Sequence, residues 1–239
     1  MLPARPTFAA VPGSGPLGLP RRFRPLVWGA VAAAFAAAYG FLFTVVHPYV
    51  DTRLCVAQLP DPLFALLGFD ARWFRVSHDL FYLVTAVALA ALVTQALRGD
   101  QRPLVRFGLG VSLQAVMRSL TMALLPLCRV TVTPGHAAYA VVPTLDLGFA
   151  HIPWLPWAKN DLMFSGHVGE FLILYLAVRT SWPRPALVAL VAFQILEAMA
   201  LVITRGHYTI DIVVAVPFAF LADQVAVAIL ERISRPRLS

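Results

Sequence analysis

Charge is what this chain has least of. Charged residues fill 13% of its 239 positions, against about 25% in an ordinary soluble domain. The 59% that are hydrophobic cluster into runs of roughly twenty residues. A helix rising ~1.5 Å per residue needs about that length to cross a ~30 Å hydrocarbon core. The shortage of charge therefore excludes a soluble domain and points to a polytopic membrane protein. Cysteine is almost missing: Cys55 and Cys128 are the only two, which excludes a metal cluster built on cysteines. No polar stretch is long enough to fold alone, so one domain is expected, and no internal repeat is evident. The formal charge of +7 rests on arginines scattered over loops. The basic helix or stripe that nucleic-acid binding needs is absent.

Residues 1–25, rich in Pro, Gly and Arg and without periodicity, read as a disordered tail, and 231–239 as a cytoplasmic tail. The first apolar run, 26–46, is longer than a signal-peptide core and lacks a clear cleavage pattern, so a retained span is expected. Five more spans are expected at 76–97, 104–125, 164–180, 185–203 and 210–230. Gly99-Asp100, Pro103, Pro126, Pro183 and Pro185 punctuate them. The fold class is thus all-α, a six-transmembrane-helix bundle over 26–230.

Six spans place both termini on one face. That face carries Arg5, Arg21, Arg22, Arg24, Arg98, Arg102, Arg106, Arg179, Arg184, Arg232, Arg235 and Arg237. The other has Arg53, Arg72, Arg75, Arg129, Lys159 and Arg205. Twelve against six predicts cytoplasmic termini. An Ala/Arg/Pro bias with one lysine points to a GC-rich bacterial genome, hence an inner membrane whose outer face is periplasmic. All six histidines (His47, His78, His136, His151, His167, His207) fall at or near that outer face. So do most aspartates, including Asp61, Asp161 and Asp211. Trp73, Phe74, Trp154 and Trp157 suit its long loops to the headgroup level. Cys55 and Cys128 are also on this side, where an oxidising compartment permits a disulfide.

Two stretches carry the chemistry. His207 and Asp211 are four apart, on one face if the last helix begins near 207. A carboxylate there can fix the tautomer of an imidazole and leave its other nitrogen nucleophilic; a polar helix cap is the bland alternative. His167 opens the fourth span after Ser165 and Gly166. Glycine allows close backbone approach, and a helix N-terminus offers N–H groups and a positive dipole end to an anion. Taken alone, Ser-Gly-His is a common capping sequence. Arg118 lies inside the third span, where an arginine costs roughly 2.5–3.5 kcal/mol and needs a cavity or a partner. It reads either as a phosphate clamp or as a structural partner of Glu170 or Glu197. Lys159 and Arg205 flank the histidine motifs as further clamp candidates or as interfacial anchors. Asp161 is placed to orient a histidine or bind an amine headgroup. Glu170 is three residues beyond His167 on the same helical face, and Asp223 lies too deep for the reaction.

Four stretches in order resemble the signatures of sphingomyelin synthases and their relatives. Residues 159–167, Lys-Asn-Asp-Leu-Met-Phe-Ser-Gly-His, are similar to the third signature, C-G-D-x-x-F-S-G-H-T. His207-Tyr208-Thr209-Ile210-Asp211 matches the fourth, H-Y-T-x-D. Arg118-Ser119-Leu120-Thr121-Met122 with Leu125-Pro126 resembles the second, R-x-x-T-M followed by L-P, and Leu59-Pro60-Asp61 echoes the first, P-L-P-D. Lys159, Asn160 and Val168 depart from the third signature, so headgroup and acceptor are less constrained by the resemblance. The broader type-2 phosphatidic acid phosphatase superfamily adds K-x6-R-P, which is absent here; that favours the synthase-like branch.

The resemblance implies a triad of His167, His207 and Asp211. His207 would attack the phosphorus of a phospholipid donor to form a phosphohistidine. His167 would protonate the departing diacylglycerol and then deprotonate ceramide or a similar lipid alcohol. Arg118, Arg205 or Lys159 would offset charge in the transition state. No metal or other cofactor is implied. A lipid phosphate phosphatase or phospholipase-C-like hydrolase, with water as acceptor, uses the same triad. A non-catalytic transporter or scaffold gives no reason for the three residues to share a face.

Overall fold

The computed structural model of the chain describes residues 24–52, 59–73, 76–125, 127, 144–146, 151–153 and 163–234. The expected tails lie largely outside them. So do Lys159, Asp161, Cys55, Cys128, His136, Phe74, Trp154 and Trp157.

The described chain is helical almost throughout. Helix α1 (Arg24–Phe41) runs through a π-helical turn (Leu42–Val46) into α2 (His47–Thr52), so the first apolar helix extends beyond the expected limit of 46. Pro48 explains the wider turn. It has no N–H to donate, and its ring crowds the carbonyl four residues back, a conflict that one π turn absorbs. The His47 N–H accordingly bonds to the Leu42 carbonyl, five residues back. Short α3 (Pro62–Leu67) follows, and a second π turn (Val76–Leu80) leads into α4 (Phe81–Leu97). Then come α5 (Arg102–Leu124), α6 (Gly166–Val178), α7 (Arg184–Ile203) and α8 (Thr209–Ser234). Between α5 and α6, Thr144–Asp146 pairs antiparallel with His151–Pro153.

Four of these helices are long and apolar enough to cross a membrane: Leu26–Thr52, α5, α7 and α8. Helices α4 and α6 are apolar but shorter. The pattern is consistent with an integral membrane protein.

Helix α5 is the centre, packed on α1, α6 and α8, with α6 also against α7 and α8. Small residues permit this. Ala215, Ala219, Ala222 and Ala226 form one fully buried seam along α8, spaced as a helical stripe, which lets neighbouring backbones approach closely. Ala219 and Ala222 pack against Val111 and Ile173; Ala215 joins Phe164, Val168 and Leu201.

Deeper in the bundle Asp223 is fully buried and accepts two hydrogen bonds from Arg106, both 2.6 Å. This fork-to-fork pair ties α5 to α8 and explains a carboxylate in an apolar seam. Removing one partner leaves the other charge stranded. Asp223→Ala is expected to destabilise the protein by about 3–5 kcal/mol, read as a lowered thermal unfolding midpoint in detergent. An unchanged midpoint would contradict it.

Candidate active site

Helix α6 begins where Ser165 adopts an extended conformation and its hydroxyl accepts the Val168 N–H at 3.4 Å. Ser165 is thus an N-cap. His167 stands in the first turn, whose N–H groups no carbonyl of the helix can satisfy. Its ring lies against Phe81, with centroids 4.1 Å apart.

Helix α8 starts at Thr209, one residue before the expected span of 210–230, so His207 lies in the preceding turn and not on the helix itself. The pair still meets. Asp211, in the first turn, accepts the Tyr208 N–H on Oδ2 at 3.1 Å, and the same oxygen lies 3.3 Å from His207 Nδ1. The first contact is half of a capping box, in which a third-position carboxylate satisfies the N–H of the cap residue. One aspartate therefore both starts the helix and orients the imidazole. His207, Tyr208 and Asp211 are all buried.

The two motifs are joined through the backbone: the Ser165 N–H donates to the Asp211 carbonyl at 3.0 Å. That bond brings two helix N-termini side by side and sets the His167 and His207 ring centroids 6.3 Å apart. Two successive contacts of about 3 Å cover that span, so one phosphoryl group can touch both rings. Backbone strain marks the same place. Met163 (φ 104°), Phe164 (φ 24°) and Arg205 (φ 59°) are the described non-glycine residues with positive φ, and they flank the two motifs. Each costs roughly 1–3 kcal/mol and persists where surrounding packing enforces it. Phe164 supplies such packing, fully buried and stacked on Phe218 with centroids 4.6 Å apart.

Arg118 is buried on α5 and reaches this site. A Cβ built on Gly166 would fall 1.9 Å from Arg118 Nη1, so the guanidinium lies against the bare backbone next to His167. Gln114, one turn earlier, donates to the Gly166 carbonyl at 3.3 Å. Arg205 goes elsewhere. Its Nη2 donates to the Phe64 carbonyl at 2.5 Å and its guanidinium sits 4.0 Å over the Phe64 ring. Burial pulls its pKa down and the Asp61 carboxylate partly restores it. Nη1 of Arg205 is buried without a hydrogen-bond partner among the described residues. Among those residues no group of three His, Cys, Asp or Glu is arranged to hold a metal ion.

The faintest sequence motif has a firm structural place. Asp61 accepts from Thr209 twice, from N at 2.6 Å and Oγ1 at 2.8 Å, and from the Leu63 N–H at 3.0 Å. It caps α3 and α8 together. Tyr208 completes the latch: it stacks on Phe64 at 5.6 Å, and its hydroxyl accepts the Leu59 N–H at 3.4 Å. The signal for these contacts was the acid after Leu-Pro and the threonine between His207 and Asp211.

Residues 160–224 match the family model described as PAP2 superfamily C-terminal. The matched segment holds His167, His207 and Asp211, and it supports the type-2 phosphatidic acid phosphatase superfamily and a lipid phosphatase-like function in general. No curated protein and no solved structure matches the chain.

Asp61→Ala removes the acceptor of two helix starts and is expected to cost about 1–2 kcal/mol of stability. Asp61→Asn, an equally good cap by residue type but with one acceptor oxygen, should recover part of it. Thermal unfolding of the two variants checks this; an alanine variant as stable as the parent would contradict the double cap.

Proposed function

We propose that this protein is a lipid headgroup phosphotransferase of six spans, moving a phospho-headgroup from a glycerophospholipid to ceramide or a similar lipid alcohol through a phosphohistidine. One observation carries the reading: two imidazoles 6.3 Å apart, one braced by a buried carboxylate, at paired helix N-termini beside a buried arginine.

Because Asp211 holds Nδ1 of His207, Nε2 is the nucleophile. Its lone pair attacks phosphorus while the bond from phosphorus to the glycerol oxygen breaks. Protonated His167 delivers its proton to that leaving oxygen, releasing diacylglycerol. Neutral His167 next takes the proton of the acceptor hydroxyl. The acceptor oxygen attacks phosphorus, the P–N bond breaks, and His207 regains its electron pair. Asp211 stabilises the cationic ring throughout, as a carboxylate behind a histidine does in other covalent enzymes. Each helix N-terminus contributes roughly half a positive charge, and with Arg118 these meet the negative charge of the transferring group. Ser165 and Gly166 shape the phosphate cradle; Lys159 and Asp161 keep the substrate-binding role the sequence gives them, while Arg205 is engaged with Phe64.

The six spans are the four long helices together with α4 and α6. The π turn at Val76–Leu80 makes the fourth-helix segment continuous from Val76 to Leu97. Helix α6 has 13 residues, about 20 Å at 1.5 Å per residue, short of a ~30 Å core. Arg179 and Arg184 anchor its far end at the cytoplasmic boundary, so its histidine end opens in a recess of the periplasmic leaflet. A lipid headgroup reaches it from the membrane side.

The family match equally supports the second reading, a lipid phosphate phosphatase or phospholipase-C-like hydrolase in which water takes the acceptor's place.

His207→Ala and His167→Ala are each expected to abolish turnover while leaving the fold intact; parental activity in either purified variant removes the triad. Labelled phosphatidylcholine and phosphatidylethanolamine, supplied with and without ceramide or diacylglycerol, separate transferase from hydrolase. The transferase forms labelled product only with acceptor. Free phosphocholine or phosphoethanolamine released regardless of acceptor would make the protein a hydrolase.

A further inference from the structure

Helix α1 contributes no residue to the histidine motifs, yet one of its side chains reaches the site. The Tyr39 hydroxyl donates to Glu170 Oε1 at 2.5 Å, across 131 positions of sequence. Glu170 stands three residues after His167 on α6, one turn away on the same face. Arg118 completes the set: its guanidinium lies against Gly166, one helical turn before Glu170 on the same face of α6.

We propose that Glu170 and Tyr39 are positioning residues for Arg118, holding its guanidinium beside Gly166 to face a phosphate at the α6 N-terminus. This rests on the phosphoryl-transfer reading of the site. A guanidinium has five N–H donors in one rigid plane. A phosphate uses two of them, so the plane must be held from another side if it is to stay aimed. A carboxylate can do this, but a freely rotating one holds nothing. The short bond from Tyr39 fixes the Glu170 rotamer. Tyr39 is itself fixed by packing, its ring 4.5 Å from Phe35 and 6.0 Å from Phe43 by centroids. The chain Tyr39, Glu170, Arg118 therefore runs from α1 through α6 to α5, and makes the first helix part of the active centre. It also answers the cost of an arginine within the apolar zone: a polar neighbour is in place before any substrate arrives, so the clamp is preorganised.

The test uses the full-length protein in detergent, turning over phosphatidylcholine with ceramide as acceptor in mixed micelles, with orthovanadate as a mimic of the transferring phosphoryl group. Tyr39→Phe leaves the catalytic residues intact. It is expected to lower kcat/KM and weaken vanadate inhibition by about tenfold each, the scale of one hydrogen bond to a charged group. Arg118→Lys should do at least as much, and Tyr39→Phe should add little in the Arg118→Lys background. Glu170→Gln, which retains a partner for Tyr39 but no charge, should weaken vanadate in the same way. This second variant decides the matter if Tyr39→Phe does not fold. A purely structural tie between α1 and α6 predicts otherwise: a lowered unfolding midpoint, unchanged vanadate inhibition, and effects of Tyr39 and Arg118 that multiply. Either multiplicative effects or unchanged inhibition overturns the proposal. His207→Ala in the same assay keeps the two readings apart. If it is inactive while Tyr39→Phe is unaffected, the phosphohistidine site stands and only the positioning chain falls. Parental activity in His207→Ala removes both.

Discussion

A single aspartate holds the site together. Asp211 accepts the Tyr208 N–H on its carboxylate, presents the same oxygen to His207, and through its carbonyl accepts the N–H of Ser165. Each contact answers a different need. The first begins α8, the second orients an imidazole, and the third brings the cap of α6 alongside. Buried where water cannot compete, these bonds act in a low-dielectric setting that strengthens them. The same setting makes any one of them costly to leave unmade.

From that point the rest of the structure reads as support. The alanine seam on α8 lets α5 and α6 close on it, which carries Arg118 to Gly166. Asp61 clamps the start of α3 to the start of α8 and Phe64 stacks on Tyr208, so the His207 turn is held from a second side as well. At the other end of the bundle Arg106 and Asp223 fix the same two helices, α5 and α8, against each other. Polar groups that are expensive in an apolar medium are thus gathered at two levels, one structural and one chemical.

The sequence made the four long apolar helices legible because hydrocarbon thickness imposes both length and composition on a helix. Boundaries were less legible where chemistry intervenes. Pro48 did not end the first helix, because a π turn absorbed it, and α8 began after His207 because Asp211 caps it. His167, His207 and Asp211 stood out as polar residues at the mouths of apolar runs. Arg118 stood out by its cost, but only the structure shows it against Gly166. Arg205, by sequence a clamp candidate or an interfacial anchor, is engaged with Phe64. Tyr39 gave no signal at all, since a tyrosine in an apolar span is unremarkable until its hydroxyl has a named acceptor. Long-range pairing of this kind, from one helix to another far along the chain, is set by packing and leaves no local pattern.

The central claim is that His207 becomes covalently attached to phosphorus. Rapid quenching of turnover with a phosphorus-labelled phospholipid, under alkaline conditions that preserve phosphohistidine, followed by peptide mapping, tests it directly. The account predicts label on His207 alone, and slower appearance of that label in His167→Ala, which has no acid to protonate the departing diacylglycerol. Label on His167, or full turnover with no labelled histidine at any time, would contradict it.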